Sequence, residues 1–240
     1  MKYQLLVFDW DGTLVDSAAR IIASLSAAFN DVGVEAPTVK QCRDVIGLGL
    51  EQALLRLSPY TSVDVRKTLM QRYRHHYLEA NDTPTPLFAG VADVVAGLHA
   101  DGYLMAIATG KSRRGLHAEL PASGLEQCFH ATRCADDAPS KPHPQMLTEL
   151  MDELGVSAAH SLMIGDTEYD LQMAGNAGVD AVAVSCGAHE SERLLALNPL
   201  ICLGGVHALP DLARRADDWF DAFRSPINPM ALWSHELSVR

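Results

Sequence analysis

Short apolar runs alternate along the chain with longer segments of helical spacing, the signature of a parallel sheet covered by helices on both faces. Five runs read as buried strands: 5–8, 103–108, 129–132, 161–164 and 181–184. The clearest three are followed at once by polar residues, Asp9, Thr109 and Asp166. Ligands of an open α/β sheet bind beyond the carboxyl ends of its strands, so these three side chains are expected to converge on one crevice.

About ninety residues separate the first strand from the second without a strand pattern between them, far more than an ordinary crossover needs. The interval predicts an inserted all-helical domain. Its first helix, over 17–32, carries Ile21, Ile22, Leu25, Ala28, Phe29 and Val32 at helical spacing, with Asp16 or Ser17 as cap and Gly33 as stop. Further helices are expected over 39–45, 50–57 and 63–79. Residues 14–16 form one linker, and Asn-Asp-Thr-Pro-Thr-Pro at 81–86 forms the other. The expected organisation is an α/β core of 1–16 and 85–215, a helical cap of 17–84, and a last helix with a tail at 216–240 that includes Trp219, Phe220 and Trp233. Leu194, Leu195 and Leu197 read as core.

Composition narrows the class. A chain of 240 residues buries a full core without staples. The five cysteines, Cys42, Cys128, Cys134, Cys186 and Cys202, are scattered without a CxxC pair, which suggests reduced thiols rather than disulfides or zinc. The four apolar residues before Asp9 are too few for a signal-peptide core, and no run reaches the ~18 apolar residues of a spanning helix, so a soluble, cytoplasmic protein is expected. A net charge of -11 disfavours nucleic acid as a partner, and the basic stretch 72–76 reads as a solvated helix face. His75, His76, His143 and His189 lack metal-ligand spacing, and Gly-Ala-His at 187–189 reads as a turn after the last strand.

The candidate chemistry begins at Asp-Trp-Asp-Gly-Thr, residues 9–13. Two carboxylates just past a buried strand, with Gly12 permitting a tight turn, aim at one place beyond the sheet edge. One can attack phosphorus while the other passes a proton to the leaving oxygen. Solvated aspartates in a helix-entry turn are an equally open reading of the pair alone.

The pair does not stand alone. Asp-x-Asp-Gly-Thr resembles the first motif of the haloacid dehalogenase superfamily; Ala-Thr-Gly-Lys-Ser at 108–112 resembles the second, Ser-Lys-Pro-His-Pro at 140–144 the third, and Ile-Gly-Asp-Thr-Glu-Tyr-Asp at 164–170 the fourth. The resemblance implies a Rossmann-like, doubly wound parallel sheet with an all-helical cap, and a magnesium-dependent phosphatase. It implies that Asp9 is the nucleophile and Asp11 the general acid and base. It implies that Thr109 and the amide of Gly110 hold the transferring phosphoryl group, and that Lys141 offsets negative charge. Asp9, Asp166 and the backbone carbonyl of Asp11 would hold Mg2+, with Asp170 assisting. Attack by a carboxylate on a phosphate dianion needs such cations. Asp9 is then expected to be ionised at neutral pH and Asp11 to hold its proton.

Within the family, Asp11 argues for phosphoryl transfer rather than dehalogenation. Val-Ile-Gly-Leu-Gly-Leu-Glu-Gln at 45–52 resembles the cap loop of phosphoglycolate-phosphatase-like proteins, although a plain helix connection is equally open. The mutase pattern would place a histidine near Ile21 and basic residues over 46–50, where this chain is apolar or glycine. The expected partner is a small phosphorylated metabolite acting on a monomer or homodimer, with closure of the cap about linkers near Val15 and Pro84. A sugar phosphomutase, a phosphatase of nucleotides, amino sugar phosphates or pyrophosphate, and a phospho-ligand sensor remain alternatives. Arg20, Arg43 and Glu51 are the cap's charged candidates for specificity.

Overall fold

The computed structural model describes residues 2–209, and the expected last helix and tail lie outside them. Strand β1 (Leu5–Phe8) lies inside a six-stranded sheet with β2 (Leu104–Ala108), β3 (Ala131–Arg133), β4 (Ser161–Gly165), β5 (Asp180–Val184) and β6 (Ile201–Leu203). The order is β3-β2-β1-β4-β5-β6, with every neighbouring pair parallel. The chain therefore winds away from β1 on both sides, and the switch between β1 and β4 opens a crevice at their carboxyl ends.

Alternation along β1 explains why both sheet faces are covered. Leu6 and Phe8 join a cluster with Val91, Val95 and Leu98 of α5 (Val91–Ala100) and Leu116 of α6 (Arg113–Glu119). Leu5 and Val7 face the other way, onto Met146, Leu147 and Leu150 of α7 (Gln145–Leu154) and Met173 of α8 (Glu168–Ala177). None of the four β1 side chains is more than 2% exposed. At about 1.5–3 kcal/mol for each buried aliphatic or aromatic side chain, this strand is a rigid base for the loop that follows it.

Between β1 and β2 lie α1 (Ala18–Val32), α2 (Val39–Asp44), α3 (Leu50–Leu57) and α4 (Val63–His75), with no strand among them. They share a separate apolar cluster built on Ile21, Leu25, Phe29, Leu54 and Leu69. The linkers on either side run together: Val15 bridges Leu87, Asp16 N–H donates to Pro86 O at 2.9 Å, and Phe88 N–H donates to Leu14 O at 3.0 Å.

Several local expectations are corrected. The helix expected over 63–79 is α-helical to His75 and then widens into a π turn, His76–Ala80, which turns Tyr77 into the interior. Gly33 ends α1 in the left-handed conformation, as expected, but the Ser17 hydroxyl does not cap that helix; it donates to Asp11 Oδ1 at 2.6 Å. The edge strand β6 escapes sequence reading because it has three half-exposed residues and no alternation. Leu194 is buried, whereas Leu195 and Leu197 are 52% and 36% exposed. Cys42 and Cys134 are buried free thiols, and Cys128, Cys186 and Cys202 are partly exposed.

Candidate active site

The loop after β1 carries Asp9 into the crevice, where it is 1% exposed. Lys141 Nζ, itself buried, lies 2.8 Å from Asp9 Oδ1 and 2.6 Å from Asp170 Oδ1. The contact to Asp9 is close but poorly aligned, and neither Asp9 oxygen has a hydrogen-bond partner among the described residues. Asp166 follows β4 and is fixed on both oxygens, by Thr13 Oγ1–H and by the Ala188 amide, each at 2.8 Å. Asp170, in the first turn of α8, also accepts from Thr167 N–H and Thr167 Oγ1–H on Oδ2. It thus holds the helix start as well as Lys141. Gly12, at φ 86°, and Gly187 both press on Asp166, where a Cβ would come within 2.3 and 2.1 Å of its Oδ2. The segment 187–189 is therefore more than a turn: it supplies the amide that holds Asp166, and it buries His189, whose Nδ1 accepts the Glu168 amide at 3.0 Å.

Asp11 Oδ1 accepts from Ser17 Oγ–H at 2.6 Å and from Lys111 Nζ at 2.9 Å. Thr109, fully buried after β2, accepts the Lys111 amide on its hydroxyl oxygen at 3.1 Å, which leaves the hydroxyl proton free to donate. Gly110 lies directly under the cap loop: a Cβ there would meet Gly47 O at 2.5 Å and Leu48 O at 2.6 Å. From the core, Ser140 Oγ accepts the Gly49 amide at 2.8 Å. Asp9, Asp11 and Thr109 line a cavity of about 420 Å³ roofed by cap residues such as Ile21, Met70 and Tyr73, a volume suited to a small metabolite.

A family model described as haloacid dehalogenase-like hydrolase matches residues 6–184, about three quarters of the chain. The chain belongs to the haloacid dehalogenase-like hydrolases. This hydrolase is 35% identical over 220 residues to IndB of Dickeya dadantii, named as a phosphatase, covering 87% of this chain and 96% of that one. It is 29% identical over 204 residues to a phosphoglycolate phosphatase of Vibrio parahaemolyticus, covering 82% and 90%. A haloacid dehalogenase-like hydrolase from Streptococcus pneumoniae, SP0104, superposes with a TM-score of 0.76 at 25% identity, covering 89% and 98%. With an acid two residues after Asp9, and with such relatives, the chain is a phosphoric monoester hydrolase.

The hydrolase carries the donor set of a hard cation. Asp9, Asp166 and Asp170 bring ligand oxygens within 4.8 Å of one another, all buried, and Lys141 is the one cation in contact with them among the described residues. Three carboxylates against one ammonium leave a buried charge deficit that a divalent ion with oxygen preference fits. The deficit shows in the acidities: burial, partly opposed by Lys141, pushes Asp9 well above the usual carboxylate range, and burial with Asp170 nearby pushes Asp166 up to about 7. The expectation that Asp9 is ionised at neutral pH thus runs against its burial, and a bound cation would reverse this.

A carboxyl whose folded value lies above its unfolded one stabilises the fold below the unfolded value and loses that contribution as pH rises through the folded one. In EDTA the free energy of unfolding is therefore expected to fall between about pH 4 and 7, by up to ~1.4 kcal/mol per pH unit for each such group. A divalent cation bound by these carboxylates should remove most of that fall. A flat midpoint in EDTA would show that the carboxylates are already compensated.

Sequence reasoning missed four residues around Asp11: Ser17, Tyr77, Lys111 and Glu119. Of the expected cap candidates, only Glu51 lines the cavity. Arg20 is spent on the carbonyls of Tyr77 and Thr83, and Arg43 is exposed and outside the lining. Arg74, read from the sequence as part of a solvated helix face over 72–76, reaches the lining instead, with Tyr73 beside it. No helix among the described residues is long and apolar enough to cross a membrane.

Proposed function

We propose that the chain hydrolyses a small phosphate monoester of the phosphoglycolate type, with Mg2+, through an aspartyl phosphate on Asp9. The observation that carries this reading is Asp9 itself, a buried carboxylate on the cavity floor whose oxygens accept no hydrogen bond and whose nearest charge is Lys141. Such a group has its lone pairs free for attack. In the first step an Asp9 oxygen bonds to phosphorus as the ester P–O bond breaks, and Asp11 gives its proton to the departing alkoxide. In the second, water attacks the acyl phosphate, Asp11 takes the proton back, and orthophosphate leaves with the Asp9 carboxylate regenerated. Thr109 Oγ–H and the Gly110 amide donate to the phosphoryl oxygens, and Lys141 keeps positive charge beside the attacking carboxylate. Magnesium, held by Asp9, Asp166 and the Asp11 carbonyl with Asp170 beside them, would neutralise phosphoryl charge. The apolar roof and the relative named as a phosphoglycolate phosphatase support a small substrate, and Arg74 is the cavity's candidate partner for a second anionic group.

Release of orthophosphate from 2-phosphoglycolate, sugar phosphates, nucleoside monophosphates and pyrophosphate, with magnesium or EDTA, tests this. Magnesium-dependent release strongest with 2-phosphoglycolate is expected. Phosphoryl transfer between sugar positions without net release would make the protein a mutase, and binding without turnover would make it a sensor.

A further inference from the structure

Behind Asp11 lies a largely buried polar cluster that joins the loops after β1 and β2, the end of α6 and the cap. Glu119, the last residue of α6, accepts Trp10 Nε1–H on Oε2 at 2.7 Å and Tyr77 O–H on Oε1 at 2.8 Å. Lys111 Nζ lies 2.9 Å from Asp11 Oδ1, 2.9 Å from Tyr77 Oη and 3.3 Å from Glu119 Oε1. Its three N–H bonds thus meet three acceptors. Trp10 and Asp11 belong to the loop after β1, Lys111 to the loop after β2, and Tyr77 to the π turn of the cap.

Simple stability is a poor explanation for this arrangement. A carboxylate at a helix C-terminus opposes the helix dipole, and a buried ion cluster does little better than apolar side chains of the same volume. Local rules broken in this way are expected at functional sites. Two donors hold Asp11, and both depend on the cap. Ser17 immediately precedes the first cap helix, and Lys111 is drawn between Asp11 and Glu119, with the cap's Tyr77 hydroxyl fixing it between them.

We propose that Glu119, Lys111 and Tyr77 are positioning residues that hold the Asp11 carboxyl in line for proton delivery while the cap is seated. This rests on the phosphatase reading above, with Asp11 as the acid. When Tyr77 leaves, Lys111 loses one of its three acceptors and Glu119 one of its donors, so the Lys111–Asp11 contact is no longer pinned in one direction. Proton delivery is then coupled to closure, so the leaving group is protonated only in a covered site.

Leaving-group dependence separates this role from a structural one. An alkoxide must be protonated as it departs, whereas p-nitrophenolate departs without a proton. With magnesium present, kcat/KM reports the steps up to and including formation of the phosphoenzyme and not its hydrolysis. For Tyr77→Phe, kcat/KM toward n-propyl phosphate should fall by about tenfold, and toward p-nitrophenyl phosphate by less than about twofold. Lys111→Met should widen the split to about a hundredfold; if it fails to fold, Tyr77→Phe and Glu119→Gln carry the test. Equal losses on both esters, or no loss on either, would overturn the proposal. If the unsubstituted protein releases phosphate, Asp9→Asn silences it, and Tyr77→Phe treats both esters alike, this inference alone is lost. No release from any ester would instead remove the phosphatase reading, and this inference with it.

Discussion

Asp9→Asn is expected to lower kcat by about 10⁴-fold or more, the scale on which removing a covalent nucleophile acts, while making the metal-free protein more stable above pH 7. The two effects have one cause. Asp9 is buried without hydrogen-bond partners, and burial pushes its carboxyl upward, so ionising it costs stability that the neutral amide does not cost. The substitution should also abolish a hydroxylamine-labile phosphate label trapped on the native protein by acid quenching. An Asp9→Asn protein that kept the label would move the nucleophile elsewhere. One whose midpoint in EDTA fell at pH 8 would show that Lys141 needs the Asp9 charge more than burial opposes it. Stability sacrificed at a functional site is the usual trade.

The second large effect is expected at Lys141. Lys141→Met keeps the length of the side chain and removes its charge from a pocket where the native side chain is fully enclosed. Asp9 and Asp170 would then face each other without the ammonium, and breaking a buried pair from one side costs about 3–5 kcal/mol. Urea unfolding in EDTA at pH 8 should show a loss of that order. The loss should shrink as pH falls, because protonation neutralises the stranded carboxylates. Turnover with magnesium should drop by about 10²- to 10³-fold, as when a preorganised electrostatic partner of the transferring group is removed. A variant as stable as the native protein in EDTA would mean that the carboxylates do not depend on this lysine.

The convergence of Asp9, Asp11, Thr109 and Asp166 was legible in the sequence for a physical reason: they follow the ends of buried strands, and strand order brings those loops together. Lys141 and Asp170 do not end strands and were legible only through the motifs they share with the family. The helical insertion was legible from its length and periodicity. The three-residue β6 lacked a period to detect, and the π turn after His75 looked like continued α-helix. The cluster behind Asp11 was harder, since Glu119 lies 109 residues from Trp10 and its partners meet only through space. Two signals were nonetheless present: an acid ending a helix against its dipole, and a lysine beside Thr109 and Gly110. Ser17 misled because a hydroxyl at a helix start is ordinarily a cap, whereas here the same oxygen serves the loop.

Over the mouth of the site the cap rests through its own main chain: the carbonyls of Gly47 and Leu48 lie over Gly110, and the Gly49 amide meets Ser140 Oγ. Main chain carries no side-chain identity. Leu48, Leu50 and Glu51, beside these contacts and lining the cavity, can therefore change without removing the main-chain contacts themselves. Fit and choice are separately inherited in such an arrangement. A lineage, or an engineer, can retune which ester is accepted by substitutions on the roof and leave the latch beneath it intact.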